Sequence, residues 1–298
     1  MSLEILLFAA PGDVLATATA ALFGLLIGSF LNVVIYRMPV MMQRESDDYI
    51  ASELGEDLPK FGKYLKWPHA DRFNLVVPRS ACPHCGHQIG ALENIPVLSY
   101  LALRGKCRAC KAPISKRYPT IELATAALSA LLIWKFGSGW AGLATLVFAY
   151  LLIAMTAIDF DTQFLPDDLT YPLLWCGLLI NIHGAFAPLP SAIIGAVAGY
   201  LTLWSVNYLY EQIKNTPGMG NGDFKLLAAL GAWFGWTMLP TIILLSSIVG
   251  SIVGISLIVF AKHKRDVPIP FGPYLAGAGL IALLYGDPLM RMTHRLLG

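Results

Sequence analysis

Two aspartates stand where long apolar runs meet polar loops. Asp159 closes an apolar run in the string Ala-Ile-Asp159-Phe-Asp, and Asp223 closes the glycine-rich string Gly218-Met-Gly-Asn-Gly-Asp223. A carboxylate at the edge of a bilayer costs free energy, so an acid in such a place indicates a functional site. Two carboxylates held close together share a proton, because both cannot ionise cheaply, and one then acts as a base while the other stays an acid. Such a pair can activate water against a peptide carbonyl, and Asp159 and Asp223 are therefore the predicted catalytic residues.

The composition indicates what kind of secondary structure must position these acids. Of 298 residues, 56% are hydrophobic and only 13% are charged, and the mean hydropathy is +0.61, which excludes an ordinary soluble domain. We predict an all-α polytopic membrane protein with about eight transmembrane helices, since apolar runs long enough to cross a bilayer recur along the chain. The predicted spans are 14–36, 119–136, 139–158, 168–185, 190–210, 224–236, 238–261 and 270–287, of which the sixth is short.

The distribution of Lys and Arg predicts the orientation. The first span is expected to stay as a membrane anchor with its N-terminal side outside, because Glu4 and Asp13 precede it and a basic loop follows. With eight crossings, 18 of the 21 Lys and Arg then fall on the cytoplasmic side. Both aspartates lie at that face. Other polar residues reach a similar depth, namely Asn32, Arg37, Glu122 and Asn207.

Residues next to the two acids are predicted to support the site. Gly218, Gly220 and Gly222 are expected to adopt positive φ and to let a substrate strand approach. Acids at 161, 167 and 168 are interpreted mainly as helix-end residues, since acids favour the start of a helix. The candidates for substrate-binding or supporting roles are Gly220, Gly222, Lys225, Glu122 and Asp167.

Two other functions remain open from the residues alone. In a proton- or cation-coupled transporter, Asp159 and Asp223 would bind the transported ion. In a zinc-dependent scaffold, the acids would be inert helix-end residues. No Ser-His or Cys-His pair competes as a catalytic centre, and the chain carries no nucleic-acid-binding motif.

The long polar segment carries a second constellation, Cys82-Pro-His-Cys85 and Cys107-Arg-Ala-Cys110, with 21 residues between the pairs. Each Cys-x-x-Cys string directs two thiolates to one point, and two such strings make a tetrahedral shell for Zn²⁺. Two structural disulfides are disfavoured in a reducing cytoplasm. We therefore predict a structural zinc domain at 37–118, after an N-terminal transmembrane helix at 1–36 and before a membrane domain at 119–298 that carries both acids. Cys176 is interpreted as a packing residue.

Part of this segment, 40–73, is charged and aromatic. It is predicted to be amphipathic or loosely ordered at the membrane surface, with Lys60, Lys63, Lys66 and Trp67 on anionic headgroups. A solvated insertion is the alternative interpretation.

Taken together, these strings resemble the bacterial type 4 prepilin peptidases. The resemblance covers nearly the whole chain and rests on six strings, Gly28 to Arg37, Pro78 to Cys85, Cys107 to Cys110, Arg117 to Glu122, Ile158-Asp159 with Pro166-Asp167, and Gly220 to Leu226. It implies that Asp159 and Asp223 match the two catalytic acids of a GxGD-type aspartic protease, and that the four cysteines match the family's zinc ligands.

The resemblance also implies substrates and a second activity. Members of this family cut the basic leader from prepilins, or from the pseudopilins of type II secretion, at the cytoplasmic face of the bacterial inner membrane. They then methylate the new N-terminus with S-adenosylmethionine. The sequence shows no glycine-rich nucleotide fingerprint that would locate the methyl donor, so the cofactor-binding residues are not predicted.

Overall fold

The computed structural model describes residues 9–54, 72–216, 218–260 and 269–297. Within these ranges the regular secondary structure is helical, apart from isolated bridges between residues 81 and 88 and between residues 106 and 113. The α-helices of these ranges are α1 Val14–Leu54, α2 Leu98–Ala102, α3 Arg117–Phe136, α4 Trp140–Thr162, α5 Asp167–Ile180, α6 Leu189–Lys214, α7 Asn221–Phe234, α8 Leu239–Phe260 and α9 Gly272–Leu297. Short 3-10 turns occupy Ala91–Asn94, Asn181–His183 and Trp236–Met238.

Several of these helices match the membrane-spanning prediction. Five described helical stretches are long and apolar enough to cross a bilayer, at Val14–Ile50, Arg117–Phe136, Trp140–Thr162, Leu189–Lys214 and Trp236–Leu257. Helices α5 and α7 have 14 residues each and rise only about 21 Å, less than a hydrocarbon core of about 30 Å. The apolar part of α9 is Gly272–Gly286. An all-helical, multi-pass architecture is thus confirmed, whereas the count of eight spans stays a prediction.

The first helix is longer than predicted. The span was expected to end at 36, but α1 continues to Leu54 with Pro39 inside it. Arg37, one of the polar residues predicted to share the depth of the acids, is only 5% exposed. Its guanidinium donates to the backbone carbonyls of Asn74 at 2.7 Å and Pro78 at 2.6 Å, so its charge is satisfied without the chain leaving the helix. Part of the predicted surface segment is therefore helix, while Lys60, Lys63, Lys66 and Trp67 lie outside the described residues.

The chain divides into two compact units, residues 1–138 and 139–298. In the N-terminal unit α1 packs directly on α3. A Cβ at Gly28 would lie 2.7 Å from the Cα of Glu122, and Asn32 Nδ2 donates to the carbonyl of Tyr118 at 3.2 Å. Small residues permit such backbone contact, and the contact sets the start of α3 against the second half of α1.

Helix α7 is the core of the C-terminal unit. Ten of its 14 residues are buried, and Phe224, Leu227 and Trp233 are fully buried. The Trp233 indole donates Nε1–H to the carbonyl of Leu173 in α5 at 2.8 Å. Packing on all sides fixes α7 more firmly than its short length would, and so it fixes the acid in its first turn.

The boundary after α5 also differs from the predicted span of 168–185. The α-helix ends at Ile180, and the side chain of the next residue, Asn181, bonds to backbone groups outside the helix. Asn181 Nδ2 donates to the carbonyls of Ala232 and Trp233, each at 2.9 Å, and its Oδ1 accepts the N–H groups of Phe186 and Ala187. This fully buried side chain ties the turn after α5 to the end of α7.

Candidate active site

Asp159 lies in the last turn of α4, which extends to Thr162 rather than ending at 158 as predicted. The residue is 4% exposed. Its Oδ2 accepts the backbone N–H of Gly272 at 3.0 Å. Gly272 is the first residue of α9, so its N–H has no acceptor within that helix. The positive end of α9 is thereby directed at the carboxylate.

Asp223 lies in the first turn of α7 and is 8% exposed. Its backbone N–H donates to the carbonyl of Gly220 at 3.2 Å. Its side-chain Oδ1 is buried, and no donor among the described residues reaches it. A buried carboxylate oxygen without a donor is costly, and this oxygen is therefore placed to bond to a substrate or to water.

The structure brings the two acids together. They lie within the range at which the charge of one acts on the other. The backbone next to each acid packs tightly against Leu165. A Cβ added at Gly222 would lie 2.6 Å from the Cβ of Leu165, and one added at Gly272 would lie 3.1 Å from its Cδ1. A Cβ at Gly272 would also lie 2.6 Å from Asp159 Oδ2. Glycines at 222 and 272 thus allow α4, α7 and α9 to converge at the acids.

The prediction of positive φ for the glycine string is wrong. Gly218, Gly220 and Gly222 all have φ values outside the positive region, and Gly220 is extended at φ −75° and ψ 146°. Gly222 is needed for close approach, but its close neighbour in the structure is Leu165. The added Cβ would be unhindered at Gly220, where the nearest atom is Asp223 Oδ2 at 3.9 Å.

Lys225 and Asp167, both predicted as supporting residues, contact each other. Lys225 Nζ lies 2.6 Å from Asp167 Oδ1 and 2.7 Å from Oδ2, and it also lies 5.2 Å from the ring centroid of Tyr171. The ion pair joins the start of α5 to the first turns of α7. Asp167 is therefore more than a helix-end acid, whereas Asp168 is exposed at the start of α5, in agreement with the helix-end interpretation.

Asn207 in α6 holds the loop that leads to Asp223. The side chain is 9% exposed. Its Oδ1 accepts the N–H groups of Gly218 and Met219, each at 3.0 Å, and its Nδ2 donates to Glu211 Oε1 at 2.7 Å. Sequence analysis grouped Asn207 with the polar layer, and the structure gives it a specific task, which is to position the glycine string.

Replacing Asn207 by leucine should loosen this loop. The two N–H groups would lose their acceptor, which costs about 1 kcal/mol or more in a part-buried setting. We expect faster hydrogen–deuterium exchange at Gly218 and Met219 in Asn207→Leu than in the parent protein. Ser205→Ala is the matched control, because Ser205 only bonds the carbonyl of Leu201 in its own helix. Equal exchange in Asn207→Leu and the parent protein would refute the positioning role.

Gly272 is a site residue that was not predicted from the sequence. The available signal was a glycine between two prolines, in Ile269-Pro-Phe-Gly272-Pro273, at the start of an apolar run. Prolines favour the first turn of a helix, so this string indicates a helix start with a free N–H. The acceptor of this N–H group depends on tertiary packing, which the sequence does not indicate.

Glu122, the remaining acidic candidate, belongs to the N-terminal unit. It is 7% exposed, and its Oε2 accepts the N–H of Val97 at 2.7 Å. The side chain of Ser29 also bonds to it. Its bonds within this unit hold the residue before α2 against α1 and α3.

The four predicted metal ligands form one cluster in the same unit. The Sγ atoms of Cys82, Cys85, Cys107 and Cys110 all lie within 4.8 Å of one another. The pairs Cys82–Cys110 and Cys85–Cys107 are separated by 3.8 and 3.9 Å. Tetrahedral Zn²⁺ with Zn–S bonds of about 2.3 Å requires sulfur atoms about 3.8 Å apart. The thiol donor set therefore fits zinc.

The two halves of the cluster repeat one backbone pattern. Cys82 N–H donates to the carbonyl of His87, and Cys107 N–H donates to that of Ala112. Each first cysteine also accepts an N–H from the residue four positions later, Gly86 or Lys111. Both halves read Cys-x-x-Cys followed by isoleucine four positions later. This short internal repeat escaped sequence analysis, and it presents both thiol pairs with the same geometry.

Backbone and side-chain donors support the cluster. The N–H groups of Cys110 and Ala109 lower the pKa of Cys107 to about 6, against the opposing effect of burial, which favours the thiolate that a metal needs. Glu93 accepts the N–H of Gly90 and contacts His87 at 3.0 Å and Arg108 at 3.4 Å. The Gly90 N–H, followed by His87, lowers the pKa of Glu93. Glu93 therefore links the two halves, and His87 bonds to it.

Comparisons with known proteins identify the family of the chain. Residues 22–136 match the family described as the bacterial peptidase A24 N-terminal domain, and residues 146–255 match the type IV leader peptidase family. The relatives include three proteins named prepilin leader peptidase/N-methyltransferase. The protein from Aeromonas salmonicida strain A449 is 54% identical over 91% of both chains. That from Stutzerimonas stutzeri is 52% identical over 95% of both chains.

The third, from Burkholderia pseudomallei strain 1026b, is 48% identical over 94% of this chain and 89% of its own. No solved structure matches the chain significantly. Two domain matches that together cover most of the sequence, and relatives that align over nearly its full length, leave one conclusion: the chain belongs to the type IV leader peptidase family.

Proposed function

We propose that the protein is a membrane aspartic endopeptidase that removes the basic leader from type 4 prepilins or pseudopilins and then N-methylates the new N-terminus. The observation that carries the peptidase function is the buried acid pair, in which Asp223 Oδ1 has no donor among the described residues. The names of the relatives support both activities. They support no transport function, so the transporter alternative is not proposed further.

The acid pair performs the hydrolysis without a covalent enzyme intermediate. One carboxylate takes a proton from water, and the water oxygen attacks the scissile carbonyl carbon. The other carboxyl gives its proton to the carbonyl oxygen. Collapse of the tetrahedral species breaks the C–N bond as the leaving amine gains a proton. Gly272 N–H fixes the Asp159 carboxylate during these steps, and Asn207 and the Lys225–Asp167 pair fix the approach to Asp223.

The substrate and the enzyme meet at the cytoplasmic face of the bacterial inner membrane. A prepilin has a basic leader that stays in the cytoplasm and an apolar stem that lies in the bilayer, so the scissile bond lies between them. The predicted excess of Lys and Arg on one side, 18 of 21 with eight spans, supports the position of both acids at that face. The lipid bilayer and prepilins or pseudopilins are the proposed partners.

Zinc is proposed as a structural cofactor of the segment 37–118, held by Cys82, Cys85, Cys107 and Cys110. It crosslinks the two Cys-x-x-Cys loops, which Glu93 also joins through His87 and Arg108, and it supplies no acid or base to hydrolysis. The segment 119–298 is the proposed peptidase domain, and 1–36 is the proposed first membrane crossing. S-adenosylmethionine is the proposed methyl donor.

Leader removal from a purified prepilin is the direct test. The detergent-purified protein is incubated with a prepilin, with or without S-adenosylmethionine, and the products are identified by mass spectrometry. We expect a shortened pilin in both cases and the added mass of one methyl group only with the donor. Absence of cleavage across several prepilins would refute the peptidase proposal. Cleavage without methylation would refute the second activity alone.

Removing zinc should unfold the cysteine segment before it impairs removal of the prepilin leader. Structural zinc contributes roughly 10–16 kcal/mol of apparent binding energy in small zinc domains. In Cys82→Ser we expect the zinc content of the purified protein to fall by more than half and protease cutting within 74–114 to increase. Cys176→Ser, which changes a cysteine outside the cluster, should keep its zinc. Full zinc content in Cys82→Ser would contradict the assignment.

A further inference from the structure

The N-terminal unit contains a cavity of about 410 Å³. It lies among α1, the cysteine segment, α2 and the start of α3, and its wall includes Ser29, Tyr36, Tyr100, Tyr118 and Glu122. Small-molecule sites typically have volumes of about 300–1,000 Å³. The cavity is large enough for a nucleoside-sized ligand and belongs to a different unit from the acid pair.

Glu122 places a buried carboxyl group at the cavity wall. The side chain is 7% exposed and accepts bonds from Val97 N–H and Ser29. No Lys, Arg or His among the described residues forms an ion pair with it. A buried carboxylate without a counter-charge costs several kcal/mol, and a cationic ligand in the cavity would remove part of that cost.

Arg37 and Glu93, which also line the wall, have partners of their own. Arg37 uses NH1 and NH2 on the carbonyls of Asn74 and Pro78. Glu93 contacts His87 and Arg108. These bonds hold the wall together and leave Glu122 as the acidic side chain of the wall that has no ion-pair partner among the described residues, so a cationic ligand is favoured beside it.

Aromatic rings supply the remaining contacts. Tyr36, Tyr100 and Tyr118 line the cavity. A planar base can stack on such rings, and a cation over a ring face gains about 0.5–2 kcal/mol. Phe73 also lines the cavity, but the guanidinium groups of Arg37 and Arg44 lie 5.5 and 4.6 Å from its ring centroid. The three tyrosines are therefore the proposed ring contacts.

We propose that this cavity binds S-adenosylmethionine and that Glu122 is the counter-charge of its sulfonium. This inference rests on the proposed methyl transfer. In that transfer the pilin amine forms a bond to the methyl carbon as the carbon–sulfur bond breaks, the electron pair stays on sulfur, and the amine proton leaves to solvent. The product, S-adenosylhomocysteine, is neutral at sulfur. Glu122 should therefore favour the donor over the product.

Calorimetric titration of the full-length protein with the two nucleosides tests this. The parent protein should bind S-adenosylmethionine more tightly than S-adenosylhomocysteine. Glu122→Gln keeps the size and the acceptor oxygen for Val97 N–H but removes the charge. We expect it to lose about tenfold in affinity for the donor, with the affinity for the product nearly unchanged. Asp48→Asn, which removes an exposed charge from α1, should change neither affinity.

Two outcomes would overturn the inference. One is an unchanged preference for the donor in Glu122→Gln, and the other is an equal loss for both ligands. Should this variant fail to fold, ultraviolet crosslinking of methyl-labelled donor to the parent protein replaces it. Label within 29–37 or 98–122 supports the site, and label only beyond residue 138 refutes it. Leader cleavage by the same parent preparation separates this result from the peptidase proposal.

Discussion

Asp159→Asn and Asp223→Asn should each lower the rate of leader removal by roughly 10³-fold, the range that general acid–base catalysis contributes. Asparagine has nearly the shape of aspartate but can neither take a proton from water nor give one to the scissile carbonyl. In Asp159→Asn the amide oxygen can still accept the Gly272 N–H that Oδ2 accepts now. The loss should therefore be one of chemistry, with the fold retained, and it is measured as the initial rate of leader removal by mass spectrometry.

The stability of the Asp223 variant provides a second readout. Asp223 is 8% exposed, and its Oδ1 lacks a donor among the described residues. Replacing the acid by an amide removes the cost of a buried charge, and functional sites commonly carry such a cost. We expect Asp223→Asn to unfold at the same temperature as the parent protein or at a higher one. Asp168→Asn, at an exposed acid of α5, should keep both activity and stability. Substantial cleavage by either active-site variant would refute the assignment.

The sequence predicted best what depends on composition and local spacing. The apolar runs indicated the helices, because a bilayer allows few other structures. Two Cys-x-x-Cys strings indicated the cluster, because a metal site requires several ligands at one point. Asp159 and Asp223 became candidates because charge is costly next to apolar runs, and their catalytic role stays a prediction. None of these inferences required knowledge of which helices are neighbours.

What escaped prediction depends on tertiary packing. The bond from Gly272 to Asp159 joins residues 113 positions apart, and no local pattern reports it. Arg37 was predicted as part of a polar layer, but the sequence did not indicate that its buried guanidinium bonds to the carbonyls of Asn74 and Pro78. The glycine string was expected to need positive φ. The structure instead requires a glycine at 222 because a larger residue would collide with Leu165. In each case the type of residue indicated that the position was special, but the sequence did not indicate which residue it contacts.

Gly272→Ala should reduce leader removal by about 100-fold while the protein stays folded, since a misplacement of about 1 Å at a reacting group can have that effect. The added Cβ would lie 2.6 Å from Asp159 Oδ2, closer than a carbon and an oxygen can approach, so the carboxylate must move and its bond to the backbone N–H must lengthen. The matched control is Gly277→Ala in the same helix, where a Cβ meets no atom within 4 Å. That variant gains helix propensity and should keep full activity.

Comparing these two alanine variants separates positioning from general strain in α9. Both receive the same substitution in one helix, and only the one at 272 contacts the acid. Equal activity in the two variants would mean that Asp159 needs no fixed partner. A selective loss at 272, with an unfolding temperature close to that of the control, would mean that the start of α9 holds the acid in its working position. Catalysis would then depend on three helices meeting at one point, α4 with Asp159, α7 with Asp223 and α9 with the N–H that fixes the first of them.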